Sequence, residues 1–175
     1  MTLYHYIGAD YPLTMGTFGE SYALKKLSEV SKPDNPSDLR NILDLSHLDN
    51  EGVKVFETEL DFAHVAITEL RDPVLKDLLP INKNYIYELG GSFHLIQADK
   101  IGNFSFYQKN EKCVKELLLY LKRELKDGES IEIYSCWDSE EELPKAKEDS
   151  INLSSYQLQE SFELNERLLV RIMKE

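Results

Sequence analysis

The sequence predicts a single α+β domain over residues 1–175: a mostly antiparallel sheet with one long amphipathic helix packed on a face. Three observations carry this. Val114, Leu117, Leu118, Leu121 and Leu125 recur at helical spacing, with lysines and glutamates opposite, the stripe of a helix that lies on a core. "NYIYELGGSFHLIQA" sets two alternating segments around Gly90-Gly91, and a two-residue hairpin turn favours glycine because its central residues need positive φ. Ile131, Ile133, Ser135 and Trp137 alternate with Glu132, Tyr134 and Cys136, as a strand requires. A chain of 175 residues buries enough surface to need no covalent staples.

In chain order, Leu3 to Ile7 reads as a strand with Leu3, His5 and Ile7 on one face and Tyr4 and Tyr6 on the other. Tyr11 to Gly19 holds two glycines and a proline and reads as an irregular loop. Glu20 to Val30 has helix formers, with Tyr22, Leu24, Leu27 and Val30 as its stripe. After the break "SKPDNPSD", Asp38 is placed to cap a short helix holding Leu39, Ile42 and Leu43. Val53 to Glu59 reads as a strand. Residues 60–71 fit both periods, and Val65, Ile67 and Thr68 tip the reading to strand because β-branched side chains pack poorly in a helix. Asp72-Pro73 starts a short helix that ends before Pro80.

The glycine pair then predicts a hairpin, extended by "FSFYQ" to a three-strand meander over 84–108, with Tyr87 opposite His94. Asn110 is a fit N-cap for a helix over 110–127, and Gly128 stops it. A strand follows over 130–137, then a polar loop from Ser139 to Ser150. Residues 163–174 fit strand and helix, and the alternation of Leu168, Val170 and Ile172 favours strand.

Thirty-two acids against 20 bases give a formal net charge of −12. That argues against a nucleic-acid partner, since cationic neutralisation of phosphates supplies most of that affinity, and against an anionic membrane surface. No apolar run is long enough to span a bilayer. The start carries neither a basic leader nor a long apolar stretch, and there are only two cysteines, Cys113 and Cys136. Reduced thiols and a cytoplasmic location are the expectation.

Residues 127–149 hold nine acids and two lysines, more than half of the excess charge. Asp138, Glu140, Glu141 and Glu142 are therefore expected to form an exposed acidic surface, with Trp137 buried before them as an anchor. An acidic face suits a basic protein partner, as an inhibitor or immunity-like module would have. This is the leading functional expectation. The alternative is a small-molecule-binding protein or an enzyme with a polar pocket around His94, Tyr85 and Tyr87, to which His5 is a further candidate. The presence or absence of a pocket at His94 discriminates the two.

Other chemistry is poorly supported. Cys136 precedes four acids within six residues, which raise a thiol pKa rather than lower it. Cys113 falls in the first turn of the expected helix and borders its apolar stripe, a small buried residue. Asp138, Glu140 and Glu142 match the first positions of a calcium loop, but Leu143 stands where that loop needs glycine. His5, His47, His64 and His94 lack the spacing of a zinc site. "GTFGES" lacks the Lys-Ser/Thr ending of a phosphate loop. No metal or cofactor is expected.

Overall fold

The computed structural model describes residues 2–174, with backbone alone for Asp49 and Asn50. The strands are β1 (Leu3–Ala9), β2 (Gly16–Phe18), β3 (Ala23–Lys25), β4 (Val53–Val55), β5 (Val65–Thr68), β6 (Tyr85–Gly90), β7 (His94–Leu95), β8 (Ser130–Trp137), β9 (Lys147–Asn152), β10 (Phe162–Glu163) and β11 (Leu168–Met173). The α-helices are α1 (Leu39–Ile42), α2 (Glu59–Phe62), α3 (Leu75–Leu78), α4 (Asp99–Gly102) and α5 (Phe104–Glu124). The chain divides into two compact units, Glu20–Phe62 and the remainder.

The larger unit is an α+β fold built on a seven-stranded sheet ordered β2-β5-β6-β1-β8-β11-β9. Every pairing is antiparallel except β9 with β11. Period two sorts the side chains. Ile7, Ile131, Ile133, Val170 and Ile172 join Val114, Leu117, Leu118 and Leu121 of α5 in one core. Tyr6, Tyr134, Cys136 and Leu169 face the other way, onto Leu75 of α3 and Leu79 just after it. The helix stripe and the two faces of β8 are as the alternation predicts. Neither face of the central strands is open to water, so β8 reads as nearly continuous burial. No helix among the described residues is long and apolar enough to cross a membrane.

The smaller unit pairs β3 with β4. Asp38 caps α1, accepting from the Arg40 backbone N–H at 2.9 Å, as expected. Tyr22, Phe56 and Phe62 meet edge to face, and Lys54 lies 4.3 Å from the Tyr22 ring centre. None of its described apolar side chains is buried.

Several elements differ from expectation. The long helix runs over Phe104–Glu124, not 110–127. Asn103 is its N-cap, accepting from the Phe106 N–H at 3.3 Å. Phe104-Ser105-Phe106 imitates a strand, but the buried residue is Tyr107, in helical register with Val114 and Leu121. Asn110 thus lies buried inside the helix, and Cys113 sits mid-helix rather than in its first turn. The 84–108 meander does not form. Of the two glycines only Gly91 has positive φ, so the primed turn is absent, and Gly90 pairs with Ala66 as the last residue of β6. β5 and β1 occupy the two edges of β6, which leaves no place for β7. Instead β7 pairs with β10 in a separate ladder.

Glu20–Val30 is not a helix but strand β3 and a short 3-10 turn. Tyr22 there packs on Phe56 and Lys54 rather than on a helical stripe. The loop Tyr11–Gly19 contains β2, and the expected strand from Val53 to Glu59 stops at Val55. Residues 60–71 divide between α2 and β5. The loop expected at Ser139 to Ser150 becomes strand at Lys147, because β11 offers a free edge that takes polar residues as readily as apolar ones.

Candidate functional site

β1 and β8 run antiparallel with Leu3 opposite Trp137 and His5 opposite Ser135. Odd residues of both strands face α5. Beyond Ile7 and Ile133, at the Leu3 end of β1 and the Trp137 end of β8, that face opens. A cleft of about 420 Å³ forms there. Buried Phe93 and Leu164 line it with the half-buried His5 and Trp137, while Asn165, Glu166 and His94 are exposed around it.

His5 is tightly held. Its Nδ1 lies 2.7 Å from the Ser135 hydroxyl oxygen, and Ser135 is only 1% exposed. The Phe93 ring meets the imidazole edge-on at 5.2 Å. Burial pushes the His5 pKa down to about 4, because an apolar surround disfavours the charged ring. Near neutral pH the imidazole is therefore uncharged, able to donate through one nitrogen and accept through the other. Ser135 fixes the ring and is itself too enclosed to act as a nucleophile, so the pair is an oriented imidazole rather than an activated serine.

The wall at 91–94 is shaped by α5. Gly91 takes φ +150°, and a Cβ there would run into the Phe93 ring, so glycine is needed for Phe93 to fold back over it. Buried Asn110 accepts from the Ser92 hydroxyl and donates to the His94 carbonyl oxygen. It anchors the cleft wall to the helix, which is why a polar residue interrupts the apolar stripe. Across the cleft the Trp137 indole N–H donates to Glu166 Oε2 at 2.6 Å. Glu166 is presented by the turn before β11, where Arg167 adopts φ +54° and donates its N–H to the Ser135 carbonyl oxygen.

His94 lines this cleft but not with its expected companions. Its Nδ1 is 3.2 Å from Glu163 Oε2, its cross-strand partner in the β7–β10 ladder. Tyr87 pairs with Ile7, and its hydroxyl accepts from the Leu13 N–H at 3.3 Å. Tyr85 pairs with Ala9 and is exposed. Neither tyrosine reaches the cleft, because the hairpin that would have aligned them with His94 does not exist. A larger hollow of about 590 Å³ lies beside β9 and β11. It has no histidine in its lining, so the smaller cleft carries more chemistry.

The acid run also divides. Asp138 and Glu142 are exposed. Glu141 is 6% exposed, a correction to the expected surface. It accepts from Arg71 Nη2 at 2.7 Å and from the Tyr6 hydroxyl at 3.1 Å. The Arg71 guanidinium lies 3.9 Å from the Tyr4 ring centre and 3.6 Å from Asp138. The buried Tyr6 hydroxyl needs an acceptor, and Glu141 supplies it. Burial, then the Glu141 charge, pushes the Tyr6 pKa up. Glu140 has one enclosed carboxylate oxygen with no partner among the described residues.

Cys136, fully buried on the same side, is pushed up to about 12 by burial and then by Glu141 and Glu140. It is no nucleophile at neutral pH. Burial likewise raises the pKa of Cys113, whose sulfur sits 3.4 Å from the His64 carbonyl oxygen. Both cysteines are free. Trp137 is half-buried at the cleft rather than a closed anchor. No cluster of three or more histidine, cysteine or acidic side chains suited to a metal occurs among the described residues. No protein-family model, curated protein or solved structure matches the chain.

The sequence pointed to His5 and His94 and missed Ser135, Trp137, Glu166 and Asn110 as site residues. Alternation put His5, Ser135 and Trp137 on the same kind of face. Only the pairing of β1 with β8 across 130 residues joins them.

Proposed function

We propose that this chain is a small-molecule-binding protein whose ligand occupies the cleft between β1, β8 and residues 91–94. The observation that carries the reading is the His5–Ser135 pair. A neutral imidazole is fixed through one nitrogen, while the other has no hydrogen-bond partner among the described residues. A buried polar group at a concave apolar surface is what ligand sites use to orient a bound molecule. Such a ring also suits a general base if the ligand has an acidic proton. Two free buried thiols support a cytosolic setting.

The test is retention of small molecules by the 175-residue chain. The purified chain is incubated with a protein-free metabolite extract, separated from unbound solute, and its bound compounds are identified by mass spectrometry. Asn165→Trp fills the cleft from an exposed position and serves as the comparison. At least one compound retained by the wild type and lost from the variant is the expected result. Retention of nothing, or of the same compounds by both, overturns the reading.

A basic protein partner is a second proposal, supported by the exposed acids Asp138 and Glu142. The buried Glu141 contributes nothing to such a surface. Capture of one basic protein whose binding weakens with salt, and weakens less steeply for Glu142→Gln, is the outcome that supports it.

A further inference from the structure

We infer that the cleft accepts a small organic cation, an ammonium group on an apolar body, with Glu166 as counter-ion and Trp137 as the neighbouring aromatic surface. This rests on the proposed binding role of the cleft and adds the chemical class of its ligand.

The charges around the cleft have one sign. Glu166 is the only carboxylate that lines it, and no lysine or arginine does so among the described residues. Of the two histidines, His5 is uncharged near neutral pH. His94 has the Glu163 carboxylate 3.2 Å from its Nδ1, an acidic neighbour just beyond the lining. An anionic ligand therefore meets no uncompensated cation here, and its carboxylate or phosphate loses water without a charged partner. A cation meets Glu166. That side chain uses Oε2 to hold the indole N–H, and its other oxygen has no partner among the described residues.

The apolar lining points the same way. Trp137 and Phe93 supply ring surface beside the carboxylate, and an aromatic face attracts cations through its quadrupole, with Trp the best of the three rings. Asn165 and His5 add neutral hydrogen-bonding groups that can orient an N–H without repelling it. The chain's net charge of −12 raises the local concentration of cations and lowers that of anions before contact is made. The neutral His5 is also the right neighbour for an ammonium group, since a charged one would repel it.

Trp137 is the only tryptophan in the chain, so its fluorescence reports this cleft. Three probes share a phenyl body and differ in charge: 2-phenylethylamine, 2-phenylethanol and 3-phenylpropionate. Each is titrated into the 175-residue chain at pH 7.5, wild type and Glu166→Gln. The amine should bind about two- to fivefold more tightly than the alcohol, with the acid weakest, the margin of one cation–aromatic or exposed ionic contact. Glu166→Gln keeps an oxygen acceptor for the indole and should narrow the gap between amine and alcohol, leaving the share that the Trp137 ring supplies. Equal affinity for amine and alcohol, or tightest binding of the acid, in the wild type overturns the cation assignment and leaves the cleft as a binding site. That comparison does not depend on how the variant folds. If none of the three changes Trp137 emission at millimolar concentration, the binding role of the cleft and the cation assignment fall together.

Discussion

The two faces of the central sheet bury similar side chains and treat polar groups differently. On the α3 face, Glu141, Arg71 and the Tyr6 hydroxyl satisfy one another, beside the buried Cys136. On the α5 face, beyond a larger apolar core, His5 is bonded on one side only and opens into a cleft. The same strands supply both arrangements, from alternate residues: Tyr134 and Cys136 look one way, Ser135 and Trp137 the other. Closure decides what the polar groups are for. A charge enclosed with its partners stabilises or specifies the fold. A polar group held rigid and left half-bonded at a concave surface is available to a ligand.

The largest effect comes from breaking the α5 face. Leu121 is 1% exposed at the centre of its core, so Leu121→Ala should cost about 2–5 kcal/mol in urea unfolding. A loss under about 0.5 kcal/mol would mean that this face is not closed beneath the cleft. The α3 face should respond next. Glu141→Ala leaves the Tyr6 hydroxyl without its acceptor and removes one partner of Arg71, which is itself part-exposed. The expected cost is about 1–3 kcal/mol, and Glu141→Gln, which keeps an acceptor, should cost less. Equal losses from both substitutions would show that the charge matters more than the hydrogen bond.

These faces are legible in part from the sequence alone. β8 was visible because Gly128 precedes it and because both of its faces alternate without a break. β11 and the short helix after Asp72-Pro73 were visible for the same kind of local reason. The start of α5 was hidden by Phe104 and Phe106, which are spaced as in a strand and end up exposed on a helix. The hairpin at Gly90-Gly91 satisfied a local rule and lost to a non-local one, since β5 pairs where β7 was expected. The site suffered most from this. His94 was a sound candidate given the wrong companions, because strand order, not spacing, decides which side chains share a cleft. Glu141 was hidden by composition: the run Glu140–Glu142 reads as solvent-facing until Tyr6 and Arg71 come from elsewhere to meet one member.

A pH experiment sharpens the contrast on the open side. In the unfolded chain the His5 ring titrates at its ordinary 6.5, and in the folded protein near 4. Between those values the unfolded state binds more protons, so protonation favours unfolding. This contribution is absent above about pH 6.5 and grows as pH falls toward 4, where stability is lost. His5→Gln removes it. Over pH 7 to 4.5 the wild type should therefore lose more stability than His5→Gln, with the carboxylates common to both cancelling in the difference. Parallel losses would mean that His5 titrates normally and is more hydrated than its contacts imply.

The smallest effect is expected one residue away from one of the larger ones. Glu142 is exposed, and no salt bridge holds it among the described residues, whereas Glu141 beside it is enclosed by Arg71 and Tyr6. Glu142→Gln should change stability by no more than about 0.5 kcal/mol, as exposed substitutions away from caps and networks do. The sign should be slightly favourable, since it relieves repulsion from Asp138 and Glu140. It should also leave the affinity of the cleft for 2-phenylethylamine unchanged, because Glu142 does not line it. Urea unfolding of Glu141→Gln and Glu142→Gln side by side makes the comparison direct, since the two changes share chemistry and a neighbourhood in sequence. A measurable loss at position 141 with none at 142 locates the structural charge in the closed network alone. Equal and negligible changes would return Glu141 to the solvated face that its composition suggests. Equal and large ones would tie the whole run into the fold, and the unpartnered oxygen of Glu140 would be the first place to look for what binds it.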